Sequence, residues 1–247
     1  MQPWRTIESV ATPEGPLDLR QRGERSFLIT VAGRVLMTSE AHRSETDLAT
    51  LTKAAMGDLP RPRVLIAGLG MGYTLRAALD CLPPAAKVTV AELNPAVVAW
   101  CAGPLAVLTK SATSDKRVTT IVADVARVIA DASPEAYDAI VLDMYEGPHA
   151  ANNRAHDPLY GIAALKRTAR ALTADGVLAV WSEAPDQAFA DRLAIDFRVE
   201  RHRGAGGGRR HAIYVARPAV GRPRFLPRPP ADQGDGRGPR RTGRRPR

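Results

Sequence analysis

The run Val64-Leu-Ile-Ala-Gly-Leu-Gly-Met-Gly-Tyr73 constrains this chain more than any other stretch. Val64 to Ala67 is a short apolar strand, and Gly68, Gly70 and Gly72 let the backbone turn sharply into a helix where a Cβ would collide with a ligand. The next apolar run ends in Glu92. A strand, a glycine turn and a helix start, with a carboxylate closing the following strand, is a combination that holds a nucleoside. The two oxygens of Glu92 could accept from both hydroxyls of a ribose. The alternative is a tight strand-to-helix turn with no ligand.

From Arg63 onward the pattern alternates. Strands are predicted at 64–67, 87–91, 118–123 and 138–142, with helices at 72–82, 95–108 and 125–132 between and around them. A helix at 159–173, stopped by Asp175-Gly176, leads to a strand at 177–182. The runs Phe197 to Arg201 and Ala212 to Ala216 then form a closing antiparallel pair. Near-continuous apolar strands alternating with helices require a parallel sheet covered on both faces. The expected architecture is therefore α/β, a Rossmann-like class I methyltransferase fold with a mostly parallel sheet. Ahead of it, residues 25–38 read as two short strands around Ala32-Gly33, and 39–56 as a helix with Ser39 as candidate cap. Pro60-Arg-Pro62 ends that unit.

Charge divides the chain. The net charge is +9, but residues 201–247 carry 14 Arg against 2 Asp, so residues 1–200 are mildly acidic. From Pro218 the last 30 residues hold 9 Arg, 7 Pro and 5 Gly, too little apolar surface to fold. Three segments follow: an N-terminal β-hairpin and helix unit at 1–59, a nucleoside-binding transferase domain at 60–217, and a disordered tail at 218–247. The tail could bind RNA by counterion release. With Phe225 its only aromatic, base stacking is poorly supported, and nucleic acid is not the expected partner. The N-terminus lacks a basic segment followed by an apolar run, and no stretch is long enough to span a membrane, so a cytoplasmic location is expected. Cys81 and Cys101 lie among apolar residues in helical stretches and read as reduced thiols; no cluster has metal-ligand spacing.

In open parallel sheets the ligand lies beyond the carboxyl ends of the strands. Those positions hold Gly68, Glu92, Asp124 and Asp143. Each acid alone could cap a helix, as Asp124 would before Val125; together they point to a site. The spacing G-x-G-x-G, with Tyr73 where a dinucleotide fingerprint has its third glycine, favours an S-adenosyl ligand over NAD. Asp143 opens a Gly/Pro-rich loop opposite the nucleoside, where an acceptor would be held. An alkylammonium has a pKa of about 10.4 and no free lone pair until it is deprotonated. Asp143 could orient such an ammonium and take its proton, and Glu146 could bind a second cation.

At these residues the chain resembles the spermidine synthase-like polyamine aminopropyltransferases, over about Arg25 to Pro218. The resemblance implies that Glu92 holds the ribose, that Asp124 faces the adenine amino group, and that Asp143 deprotonates the attacking amine. It also places Glu45 and Tyr160 on the polyamine side and implies a homodimer. Met71 stands where the family's GGGDGG turn has its acid, and Arg43-Ser44-Glu45 where the family has Tyr-His/Gln-Glu. The implied activity is aminopropyl transfer from decarboxylated S-adenosylmethionine to a small amine, without a metal. Methyl transfer from S-adenosylmethionine is the second reading, helped by Met71, because an acid there would repel the methionine carboxylate. A non-catalytic nucleoside- or polyamine-binding module is the third.

Overall fold

A computed structural model describes residues 2–145, 147–148, 156–204 and 211–219. Strands Arg5–Thr12 (β1), Gly15–Arg22 (β2), Ser26–Val31 (β3) and Arg34–Thr38 (β4) form an antiparallel sheet in that order, followed by helix Arg43–Met56 (α1). Next come Arg63–Ala67 (β5), Tyr73–Cys81 (α2), Lys87–Glu92 (β6), Pro95–Ala102 (α3), Ala106–Thr109 (α4), Val118–Val122 (β7), Val125–Asp131 (α5) and Tyr137–Leu142 (β8). The described chain ends with Ile162–Ala171 (α6), Leu172–Ser182 (β9), Gln187–Leu193 (α7), Phe197–Arg203 (β10) and Ala212–Pro218 (β11).

The second sheet runs β10-β11-β9-β8-β5-β6-β7. Strands β5 to β9 pair in parallel, and β11 is antiparallel to both β9 and β10. This is the expected mostly parallel Rossmann-like sheet with its closing antiparallel pair. After β5 the chain moves first to one side, to β6 and β7, then crosses back to β8. That reversal opens a crevice at the carboxyl ends of β5, β6 and β8.

Alternate residues of each strand face opposite layers. Val64, Ile66, Val141 and Ala179 join one core with α1 and α2, and Leu65, Ile140, Leu142 and Val180 join the other with α5 to α7. The first core also includes Leu17, Leu19, Phe27 and Ile29 of the N-terminal sheet. The N-terminal sheet, α1 and the main sheet therefore share one core. Leu48 of α1 is fully buried in the seam, a burial worth about 1.5–3 kcal/mol.

Four differences from the sequence expectation have local causes. The N-terminal sheet has four strands rather than two, because β1 and β2 are polar on their exposed face and their Thr12-Pro-Glu-Gly15 turn is short. Helix α1 starts at Arg43, since the Ser39 hydroxyl is used by β3: it accepts from Phe27 N–H at 2.9 Å and donates to the Arg25 carbonyl at 3.3 Å. The helix predicted at 95–108 breaks at Gly103, whose N–H bonds back to Ala99. Helix α7 was not anticipated; it is one short amphipathic segment capped by Asp186, which accepts from Phe189 N–H at 3.0 Å.

Candidate functional site

The glycine turn lies between β5 and α2. Gly68, Gly70 and Gly72 have φ of +82°, +52° and +82°, conformations that L side chains rarely adopt. The atoms that exclude a side chain belong to the protein itself. A Cβ on Gly68 would strike the Asp143 carbonyl, one on Gly70 would meet Met37 Sδ at 2.9 Å, and one on Gly72 would meet Thr109 Cγ2 at 3.3 Å. The turn is thus packed from behind by the acceptor loop and by the N-terminal sheet. Cys101 donates its S–H to the Gly70 carbonyl at 3.2 Å, and burial pushes that thiol up to about 12. Both cysteines are free thiols.

Glu92 closes β6 beside the turn. Its Oε2 accepts from Leu69 N–H at 2.9 Å and its Oε1 from Asn94 N–H at 2.8 Å. The carboxylate therefore braces the turn before any ligand arrives, and each oxygen keeps a second lone pair for a diol. Leu93, next in sequence, is 70% exposed. It stands open between Glu92 and the Asn94 cap of α3, a position the sequence reading did not single out. Asp124 is exposed and caps α5, accepting from Ala126 N–H at 2.9 Å.

Asp143 follows β8 and is tied to the other wall. Its N–H bonds to Ala67 O at 3.0 Å, and its Oδ2 accepts from Thr74 Oγ1 at 2.6 Å. Thr74, in the first turn of α2, is a partner the sequence reading also missed, although it directly follows Tyr73. Surrounding protein and then the nearby Glu45 carboxylate raise the Asp143 carboxyl from 3.8 to about 7. Glu45 is itself buried on α1 and accepts from Ser44 Oγ at 2.7 Å. A second carboxylate beside Asp143 makes this a receptor for a cation.

Tyr160 completes this side. Asp157 Oδ1 accepts from the N–H groups of Leu159 and Tyr160, both at 2.8 Å, and fixes the turn into α6. Phe189 of α7 packs edge-on against the Tyr160 ring at 5.7 Å. The Tyr160 hydroxyl is buried with no hydrogen-bond partner. Burial first, then Asp157 and Asp143, push its pKa far up, so it remains a donor. Tyr73 stacks on His42 at 4.1 Å, and burial, then Glu45, raise its phenol to about 12.

Met71, at the position of the resembled family's turn acid, is fully buried in the core, and its N–H contacts Met37 Sδ at 3.2 Å. Of the predicted residues, Glu92 meets the glycine turn at Leu69, Asp143 abuts Gly68, and Glu45 and Tyr160 lie near Asp143. Glu146 lies outside the described residues, as do 149–155 of the same loop and the tail from 220 onward. His156 is described and exposed. Among the described residues no group of His, Cys, Asp and Glu could hold a metal ion, and no helix is long and apolar enough to cross a membrane.

Three solved structures are similar to this chain. Spermidine synthase from Thermotoga maritima superposes with a TM-score of 0.67 at 21% identity, over 86% of this chain and 72% of that one. The fold is spermidine synthase-like. A spermidine synthase in complex with the transition state analogue AdoDATO matches at TM-score 0.67 and 20% identity, over 86% and 72% of the two chains. A probable spermidine synthase from Corynebacterium glutamicum matches at 0.59 and 17%, over 86% and 79%. No family model matches the chain, and no curated protein matches its sequence.

Proposed function

We propose that this chain is a transferase that moves an alkyl group from an S-adenosyl sulfonium donor to an amine. The observation that carries the reading is the Asp143 carboxyl, raised to about 7 beside Glu45 and facing the glycine turn from the neighbouring strand end. In this reading the ribose rests on Glu92, the base lies between Leu93 and the Asp124 end of the crevice, and Gly68 to Gly72 admit the sulfur-bearing end. The acceptor ammonium enters between Glu45 and Asp143. Asp143 removes its proton, the nitrogen lone pair forms the new C–N bond, and the C–S bond breaks with its electron pair returning to sulfur. The sulfonium leaves as a neutral thioether nucleoside. Tyr160 holds the amine from the far side, and positioning in a dry crevice supplies most of the acceleration.

The fold likeness, and the AdoDATO bound by one of those neighbours, support decarboxylated S-adenosylmethionine as donor and aminopropyl transfer as reaction. One feature favours methyl transfer from S-adenosylmethionine instead: the turn position that would grip a donor ammonium is Met71, buried and apolar. A homodimer and a cytoplasmic setting accompany the first reading as proposals. The test is mass spectrometry of products after incubating the full chain with each donor and a panel of amines. An aminopropylated or methylated amine that disappears in Asp143→Asn establishes the class. If neither donor is consumed with any amine, the transferase reading fails.

A further inference from the structure

The acceptor side continues past Asp143 along one face of the sheet. Leu142 of β8 pairs with Val180 of β9, so Asp143 and Trp181 follow at adjacent strand ends, and Trp181 pairs in turn with Ile213 of β11. Trp181 packs on the same core face as Val141 and Ile213. His211 lies 5.1 Å from the Trp181 ring, centroid to centroid. The loop after Asp143 folds back on this strand end, since a Cβ on Gly147 would strike the Trp181 carbonyl.

Two nitrogens here lack partners: Trp181 Nε1 and His211 Nδ1 are both buried and make no hydrogen bond. The indole N–H is a donor and nothing else. A buried donor left unpaired is costly, and its presence beside a site argues for a ligand atom that accepts from it. The carboxylate next along, Glu183, is already engaged in an interaction of its own. The polarity thus reverses across the face, from acceptor groups at Glu45 and Asp143 to the indole donor of Trp181, with the unpartnered His211 nitrogen beside it. Neighbouring strands lie about 4.8 Å apart, so the face from β8 to β11 spans roughly 10 Å.

The geometry points to Trp181 and His211 as the specificity-determining end of the acceptor site, shaped for an amine whose far end carries a hydrogen-bond-accepting oxygen, a hydroxyl or carboxylate, in place of a second ammonium. This rests on the transferase reading of the same site. The experiment is calorimetry on the full chain saturated with methylthioadenosine, titrated with aminobutanol and with diaminobutane, probes of equal length that differ at one terminus. Aminobutanol is expected to bind at least about tenfold more tightly, and Trp181→Phe, which keeps an aromatic side chain and removes the N–H, to erase that preference while methylthioadenosine affinity stays unchanged. Should Trp181→Phe fail to fold, His211→Ala gives the same readout. Equal or tighter binding of diaminobutane, no binding of either probe, or an undiminished preference in the folded variant overturns the inference alone. Failure of methylthioadenosine to bind overturns the transferase reading and this inference with it.

Discussion

The two walls of the crevice are built differently. On the proposed nucleoside wall the carboxylates already accept from backbone N–H groups: Glu92 from Leu69 and Asn94, Asp124 from Ala126. On the acceptor wall the groups come from distant segments and are left wanting: Asp143 holds one hydroxyl, Glu45 crowds it, and the Tyr160 hydroxyl has no partner. A wall with its polar groups satisfied is rigid and binds by shape. A wall with unsatisfied buried groups carries strain that a charged or polar ligand relieves. In the proposed function this difference corresponds to nucleoside binding on one side and chemistry on the other.

The strongest way to break that division is Asp143→Asn. Loss of a general base is expected to slow turnover about 10²–10⁴-fold while nucleoside affinity changes less than about twofold; steady-state rates and calorimetry check both. In the wild type, kcat/KM should rise with pH through about 7, the value to which burial and Glu45 lift Asp143. Stability moves the other way. The folded carboxyl binds a proton that the unfolded one has released between 3.8 and about 7, so its contribution to folding is full below that interval and lost as pH rises across it. Denaturant melts of wild type and Asp143→Asn should therefore draw apart as pH rises from 3.8 to about 7 and keep a constant gap above it, the variant being the more stable there.

Gly68→Ala joins the two walls in one substitution. The left-handed φ costs about 1–2 kcal/mol, and the contact with the Asp143 carbonyl adds to it, so urea melts should show a loss of about 3 kcal/mol or more. Glu92→Gln keeps one acceptor and loses the charge on two backbone bonds; a loss of about 1.5–3 kcal/mol is expected. Asp124→Ala, the smallest, should remove a helix cap worth about 1 kcal/mol and leave the acceptor wall untouched. An Asp124→Ala variant with impaired turnover at saturating donor would blur the division.

The glycine turn and the acids that close β6 and β7 were legible in the sequence because their signals are local. Gly68, Gly70 and Gly72 sit in one turn, and Glu92 and Asp124 each close a strand whose apolar run announces it. The parallel sheet was legible for the same reason. The acceptor wall was legible only in part. Asp143 shows as a strand end, and Glu45 and Tyr160 came only through the family resemblance, since their meeting depends on α1 packing over β8 and on α7 backing Tyr160. Thr74, Leu93 and Trp181 carry no pattern of their own; each acquires meaning from what the fold sets beside it. Strands β1 and β2 escaped because half-exposed polar strands lack the apolar alternation that marks the others.

Methylthioadenosine titrated calorimetrically into wild type, Glu92→Gln and Asp143→Asn tests the division of the crevice most directly. The account predicts that wild type and Asp143→Asn bind alike, within about twofold, and that Glu92→Gln binds at least about tenfold more weakly. It is contradicted if Asp143→Asn loses as much affinity as Glu92→Gln, or if the wild-type chain does not bind the nucleoside.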